Sequence, residues 1–242
     1  MKLICIGSSS KGNAYALEAE NEILLLEAGC SISEVKKVIN WQIGKVIGCI
    51  VTHQHGDHIG RIRDYCNAGI PIYTNDETVE FIETIYGEKV IGILEFQKFN
   101  IGGFTVQPFY LPHNGVPNFG YLIEHAEMGK LLFVTDMEYC RYDFSGIGIN
   151  HLLVEANYDM ELVDKNIPNY EHKLLGHCSI QTACGIIRAN RTLELRTVTL
   201  CHLGQFSDAD GFRRQAAEAA GAGVSVGVAE AGRMFDVGLM PF

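Results

Sequence analysis

No apolar run in this chain approaches the roughly 18 residues that a membrane-spanning helix needs. No signal segment is expected either. The opening MKLICIGSSS holds only a short apolar run, which reads as a buried strand and is too short for a signal core with its cleavage site. No C-x-x-C pair occurs. The 8 cysteines (Cys5, Cys30, Cys49, Cys66, Cys140, Cys178, Cys184 and Cys201) stand singly, which argues against a zinc knuckle or a thioredoxin-type dithiol. Most lie inside apolar runs and act there as small hydrophobes. Together these absences predict a cytoplasmic protein with reduced thiols, away from the membrane. Positive charge is also short: 19 Lys and Arg against 29 Asp and Glu give a formal net charge of -10. That argues against broad binding of nucleic acid through cationic patches, and it leaves a nucleic-acid substrate open. Low-complexity tracts, long linkers and sequence repeats are absent too.

What is present suits one domain over 1–242, with 47% apolar and 20% charged residues. Short apolar runs separated by turns predict strands at Leu3–Gly7, Ala14–Ala19, Ile23–Leu26, Val46–Val51 and Pro71–Thr74. Helices are expected from Ser31 to about Trp41, from His58 to about Ala68, and over Asp76–Tyr86, which Gly87 stops. A second strand-rich stretch follows at Phe104–Phe109, Phe119–Glu124, Leu131–Thr135 and His151–Glu155. Helices at Ser179–Ala189 and Ser207–Ala220 then enclose a strand at Thr197–Cys201, and Val224–Val228 and Met234–Val237 close the chain. Strands then helices, roughly repeated, suggest an α+β fold of two packed sheets with helices outside, an αββα sandwich.

The motif that carries chemistry is VTHQHGDHIG, Val51 to Gly60. His53 and His55 are two apart at a strand's end, so both side chains can point the same way. Asp57 and His58 follow in the turn that enters a helix. Imidazole and carboxylate together suit zinc, manganese or iron. Such a loop supplies half of a binuclear site. Candidates for the other half each stand just after an apolar strand: His113 in YLPHNGVP, Asp136 in FVTDMEY and His202 in TLCHLGQ.

With these residues in view, the chain resembles the metallo-β-lactamase superfamily in its nuclease and phosphodiesterase branch, and within it the YycJ (WalJ)-like exonucleases. The segments that carry the likeness are IGSSSKGNAY, THQHGDHIG, VEANYD and GHCS. The resemblance implies His53, His55 and His113 on one metal ion, Asp57, His58 and His202 on a second, and Asp136 bridging them. A histidine rather than a cysteine in last place separates the chain from the antibiotic-hydrolysing group. Asn114, Met137 and Cys178 stand where other neighbours are expected, and no long insertion resembles a β-CASP domain or a tRNA-gripping arm.

Two divalent ions can generate a nucleophilic hydroxide and clamp both the attacking and the leaving oxygen. Their charge, less two aspartates and the hydroxide, leaves about +1, which favours an anionic phosphodiester. The implied catalytic set is Asp57 with Glu155, in VEANYD, and His177, in GHCSIQTA. Ribonuclease Z is similar in carrying such a pair for proton transfer, with the glutamate orienting a histidine that acts as general acid. In the loop from Gly7 to Asn13, Ser9, Ser10 and Asn13 are candidates for substrate contact. His125, His151 and His172 are left outside the site, and Arg213 and Arg214 read as a solvated helix face. The expected function is a metal-dependent hydrolase with two divalent ions, zinc first and manganese or iron as alternatives. Its expected substrate is DNA, cut as a 5′-to-3′ exonuclease. The competing readings are a hydrolase of a small ester, lactone, thioester or cyclic phosphodiester, and a non-catalytic metal-binding module.

Overall fold

The structure is a computed structural model that describes residues 1–166, 168 and 170–239. Positions 167, 169 and 240–242 of the expected domain lie outside the described residues. Six strands come first: β1 (Lys2–Ser9), β2 (Gly12–Glu18), β3 (Ile23–Leu26), β4 (Val46–Ile50), β5 (Ile72–Thr74) and β6 (Ile91–Gly92). Then follow β7 (Phe99–Ile101), β8 (Phe104–Leu111), β9 (Asn118–His125), β10 (Gly129–Val134), β11 (His151–Glu155), β12 (Thr197–Cys201), β13 (Ser225–Val228) and β14 (Met234–Asp236). They form two mixed sheets, in the orders β14-β1-β2-β3-β4-β5-β6 and β13-β12-β11-β10-β9-β8-β7. In the first sheet β3, β4, β5 and β6 run parallel, and in the second β10, β11, β12 and β13 do. The helices are α1 (Ile32–Val38), α2 (Gly56–Ile59), α3 (Ile62–Asn67), α4 (Asp76–Tyr86), α5 (Tyr170–Gly176), α6 (Ile180–Ala189) and α7 (Ala209–Ala220).

Period-two alternation assigns each strand residue to a layer. Leu24 and Leu26 of β3 meet Phe104, Tyr121, Leu131 and Phe133 between the sheets. Their neighbours Ile23 and Leu25 face outward onto Val35 of α1, Ile62 and Tyr65 of α3 and Ile82 of α4. In the second sheet Leu132, Val134, Leu152 and Val154 face the opposite way, onto Ile180 and Ile187 of α6 and Phe212 and Ala216 of α7. These three apolar layers are the αββα sandwich that the sequence predicts. Burial of such side chains contributes about 1.5–3 kcal/mol each before entropy is counted.

Local signals fix several boundaries. Ser31 caps α1 in a reciprocal box with Glu34, Asn75 caps α4, and Ser179 caps α6. Gly87 ends α4 at φ 71°, a conformation that favours glycine. Other expectations need correction. The helix from His58 to Ala68 is broken into α2 and α3. At the break the Arg61 N–H leaves the helical ladder and donates to Ala28 O (3.0 Å), while Ala28 N–H donates to His58 O (2.7 Å). A tertiary pairing with the end of β3 thus overrides helix continuation. The helix expected from Ser207 starts later, at Ala209, capped by Asp208. The loop from Gly7 to Asn13 is mostly strand, because β1 and β2 stay paired out to Ser9 and Gly12. Helix α5 and the very short β6 and β7 were not foreseen.

Candidate metal centre

The sheets deliver side chains to one place because their parallel strands all end there, the side of a parallel sheet where ligands commonly bind. Beyond the end of β4 come Thr52 and His53, and α2 carries Asp57 and His58. Past β10 lies Asp136, Glu155 ends β11, and His202 follows β12 directly. Antiparallel β8 ends beside them and supplies His113. Asp136 (φ 47°) and His202 (φ 49°) both leave their strands in the left-handed region, as does Glu27 after β3 (φ 66°). Such a backbone costs about 1–3 kcal/mol per residue and persists where the surroundings hold it. Here the turn aims each side chain between the sheets. Close packing also reaches Gly29, where an added Cβ would lie 1.8 Å from Asp57 O.

His53, His55 and His113 form one cluster, with ligand atoms within 4.8 Å of one another. The His113 Nδ1–H donates to Gly176 O (2.7 Å), so its Nε2 keeps a free lone pair. That Nε2 lies 3.0 Å from His55 Nδ1. His53 Nδ1 meets Thr52 Oγ1 at 2.9 Å, while its buried Nε2 has no hydrogen-bond partner. Burial and the neighbouring imidazoles push the His53 pKa well down, and burial lowers that of His113 to about 4. Asp136 partly opposes burial at both. These are neutral imidazoles with lone pairs converging, the form in which histidine binds a metal. A buried nitrogen with no partner in the protein is uncommon unless a bound ion or water satisfies it.

Asp57, His58, Asp136 and His202 form a second cluster on the same distance criterion. Asp57 Oδ2 lies 3.1 Å from His202 Nε2 and 3.4 Å from His58 Nε2. Asp136 belongs to both neighbourhoods: Oδ2 touches His58 Nε2 and stands 3.6 Å from His53 Nε2, and Oδ1 stands 3.1 Å from His202 Nδ1. The electrostatics reverse here. Burial disfavours charge on His58 and His202, but the carboxylates outweigh it. Asp136 and Glu27 hold His58 well above the ordinary imidazole range, and Asp136, Asp57 and Glu155 lift His202 to about 10. Burial alone would raise the Asp57 pKa, but hydrogen bonds from His202 and His58 bring it far below the usual carboxylate range.

The third element is Glu155 with His177. Glu155 Oε1 lies 2.8 Å from His177 Nδ1, and Oε2 accepts from Cys178 N–H (3.0 Å) and Met137 N–H (3.3 Å). His177 Nδ1 is also 3.4 Å from Asp136 Oδ1. Against the effect of burial, Glu155 and Asp136 raise the His177 pKa to about 9. His177 and His202 line a cavity of about 690 Å³ that opens outward past the centre.

Of the N-terminal candidates, Ser10 lines that cavity. Ser9 Oγ accepts from Lys11 N–H within its own hairpin (3.3 Å). Asn13 is buried beneath the cluster, its amide donating to Asp57 Oδ2 (3.0 Å), so it faces a ligand candidate rather than open space. Several contributors escaped sequence reasoning. Ser8 Oγ accepts from His202 N–H (2.8 Å) and from Tyr15 Oη–H (2.8 Å). Glu27, fully buried, stands 3.3 Å from His58 Nδ1. Asn118 donates to the carbonyls of Thr135 and Asp136. His172, left outside the site by the sequence reading, sits on α5 with its ring 5.7 Å from that of His177 and 6.4 Å from that of His55, which corrects that expectation. No local motif marks these residues. His125 and His151 lie away from the centre, bonded to Glu22 and to Met128 O. On α7, half-buried Arg213 lies near Asp210 and exposed Arg214 near Asp208.

A sequence model described as the metallo-beta-lactamase superfamily matches residues 9–148, more than half of the chain. The chain belongs to that superfamily, as a hydrolase with a His/Asp cluster able to hold metal ions. Among curated proteins it is 28% identical over 232 residues to exodeoxyribonuclease WalJ of Streptococcus pneumoniae serotype 2, covering 85% of this chain and 81% of that one. It is 29% identical over 175 residues to exodeoxyribonuclease YycJ of Bacillus anthracis, covering 65% of this chain and 63% of the relative, a little under two thirds of its length. Among solved structures, the metallo-beta-lactamase fold protein YhfI of Bacillus subtilis superposes with a TM-score of 0.77 at 21% identity, over 97% of this chain and 98% of that one. No helix among the described residues is long and apolar enough to cross a membrane.

Proposed function

We propose that this chain is a binuclear metal-dependent phosphodiesterase that acts on DNA as a 5′-to-3′ exonuclease in the cytoplasm. The observation that carries the reading is the Glu155–His177 pair, 2.8 Å apart, set against the carboxylate-rich cluster at the mouth of a cavity. His53, His55 and His113 would hold one ion. Asp57, His58 and His202 would hold the other, with Asp136 between them. The unpartnered Nε2 of His53 and the free lone pair of His113 fit that role. The all-nitrogen and oxygen donor set suits zinc, with manganese or iron as alternatives. When bound, the ions would activate an attacking water and neutralise phosphate charge.

The chain's own residues do the rest. Glu155 fixes the His177 ring through Nδ1, leaving Nε2 free to give a proton to a departing alkoxide. Two backbone N–H groups hold the other oxygen of Glu155, so the carboxylate cannot rotate away. Asn13 and Ser8 brace Asp57 and His202 from behind. The relatives named as exodeoxyribonucleases supply the choice of DNA. Asp159, Asp164 and Asp208 in the cavity wall favour a second reading, a small phosphodiester, because they repel a long polyanion.

The test is incubation of manganese- or zinc-loaded protein with end-labelled single- and double-stranded DNA and RNA and with bis-p-nitrophenyl phosphate. The proposal expects stepwise shortening of DNA, abolished by His55→Ala and slowed about 10²–10⁴-fold by His177→Ala. Cleavage of the small diester alone, with both metals bound, would overturn the DNA assignment.

A further inference from the structure

Helix α5 is strapped to the centre by two consecutive residues. The His113 Nδ1–H donates to Gly176 O (2.7 Å) and the Asn114 N–H to Leu175 O (2.9 Å), so carbonyls at the helix's C-terminal end find partners there. The Asn114 side chain adds a further bond, its amide donating to Nδ1 of His172 one turn back (3.0 Å). Asn114 makes both contacts from the left-handed region (φ 45°), which asparagine tolerates better than most residues. The residue next to a candidate ligand thus fixes both the helix and the ring of His172.

The rings of His53, His55 and His113 lie 4.6, 4.6 and 4.8 Å apart. The ring of His172 stands further off, 6.4 Å from His55 and 6.5 Å from His113, and His172 is outside the groups whose ligand atoms lie within 4.8 Å of one another. That is one contact beyond an ion ligand, the place of a group that touches what the ions hold. The orientation agrees. A Cβ on Gly176 would lie 3.4 Å from His113 Cε1 and 3.5 Å from His172 Cε1, so the Cε1 edge of the His172 ring is turned toward His113. Nδ1 and Nε2 flank that carbon. Because Nδ1 accepts from Asn114, the ring proton is on Nε2. This N–H has no partner among the described residues, and His172 lines the same cavity as His177 and His202.

We infer that His172 is a phosphate-contact residue: its Nε2–H donates to a non-bridging oxygen of a phosphodiester at the centre, and Asn114 positions it. This rests on the phosphodiesterase reading and adds a donor to that same site. The two histidines then differ in what stands behind them. A carboxylate behind His177 supports a ring that carries a proton to the leaving oxygen, whereas an amide behind His172 fixes the tautomer and adds no charge.

The probe is inorganic phosphate, titrated calorimetrically into zinc-loaded protein freed of excess metal. His172→Ala should weaken its binding about 10–100-fold, the usual worth of one hydrogen bond to a charged group. His172→Gln, which keeps an N–H donor at similar reach, should recover most of that loss. Asn114→Ala should weaken binding less, and should add nothing once His172 is alanine, the coupling expected of a residue that acts through the ring. Both residues are exposed, so the variants should fold and keep the parent's zinc content, checked by circular dichroism and elemental analysis. Equal phosphate affinity in the parent and His172→Ala, a loss that glutamine does not recover, or a parent that binds no phosphate would overturn the inference. Zinc lost with His172 would overturn it too, by making His172 an ion ligand, and strictly additive losses would overturn the role of Asn114. Cleavage of bis-p-nitrophenyl phosphate is scored separately. A parent that binds phosphate through His172 yet cuts no phosphodiester would sink the phosphodiesterase reading and leave the contact standing.

Discussion

The two halves of the centre use the same residue type in opposite ways. Around His53, His55 and His113 the imidazoles crowd one another, and burial keeps them neutral. Around His58 and His202 the carboxylates of Asp57, Asp136, Glu27 and Glu155 outweigh burial and raise the imidazole pKa values as long as no cation is bound. A few ångströms therefore separate histidines whose lone pairs are already free from histidines that would release a proton on taking an ion. The difference lies in carboxylate placement, and Asp136 is the group the halves share. Burial of several carboxylates and imidazoles without a cation is costly. The fold commits that cost by closing two sheets over residues that separate strands deliver.

Removing the shared group should have the largest effect. Asp136→Ala should empty both halves, with two ions lost per chain by elemental analysis and activity down about 10³-fold or more, roughly 4 kcal/mol of barrier. Retention of one full equivalent of metal would show that the halves are independent. Next comes His177→Ala, which should lower kcat by about 10²–10⁴-fold while metal content stays at the level of the parent protein. Coincident loss of metal would move His177 from proton donor to ligand.

Glu27→Gln sharpens the contrast, because Glu27 touches His58 and none of His53, His55 or His113. Affinity for one ion should fall by about 10–100-fold, the usual effect of losing a carboxylate behind a ligand. Chelator titration should then show one of two release phases shifted. A shift of both phases would contradict the division drawn here.

The smallest effect lies outside the site. His151 donates from Nε2 to Met128 O and meets Thr197 Oγ1 through Nδ1. Burial, helped by Arg196 and the N-terminus and opposed by the Met128 carbonyl and Asp236, lowers its pKa from 6.5 to about 4. The unfolded chain thus binds this proton first as pH falls. The native state is undisturbed above pH 6.5 and loses stability between there and about 4. One pH unit below 6.5 the cost is about 1 kcal/mol. In denaturant melts of wild type and His151→Gln, the difference between the two should change with pH only within that window. A difference that keeps growing above pH 7 would reverse the sign.

Much of this arrangement was legible in the sequence, for a physical reason. Candidate ligand residues placed directly after apolar strands, as in VTHQHGDHIG and TLCHLGQ, mark strand ends, and strand ends in parallel sheets converge. Capping serines at 31 and 179 and Gly87 fixed helix limits because those signals are local. What escaped was non-local. Glu27 looks like an ordinary polar residue after an apolar run until β3 and β4 pair and bury it. Ser8 becomes a brace for His202 only once residues 194 apart in sequence meet. His172 lies on α5, a helix of 7 residues in a polar stretch, too short for an apolar stripe to reveal it. The helix expected from His58 to Ala68 broke at Arg61, whose N–H pairs with Ala28, a bond that no helical pattern encodes.

If Asp136 joins two adjacent ion sites, crystals grown with manganese should reveal both in an anomalous difference map recorded near the manganese absorption edge. Two peaks should appear about 3.5–4 Å apart, the spacing of paired catalytic metals. One should stand among His53, His55 and His113, the other among Asp57, His58 and His202, with Asp136 between them. A single peak at full occupancy, or two that do not flank Asp136, would contradict the account.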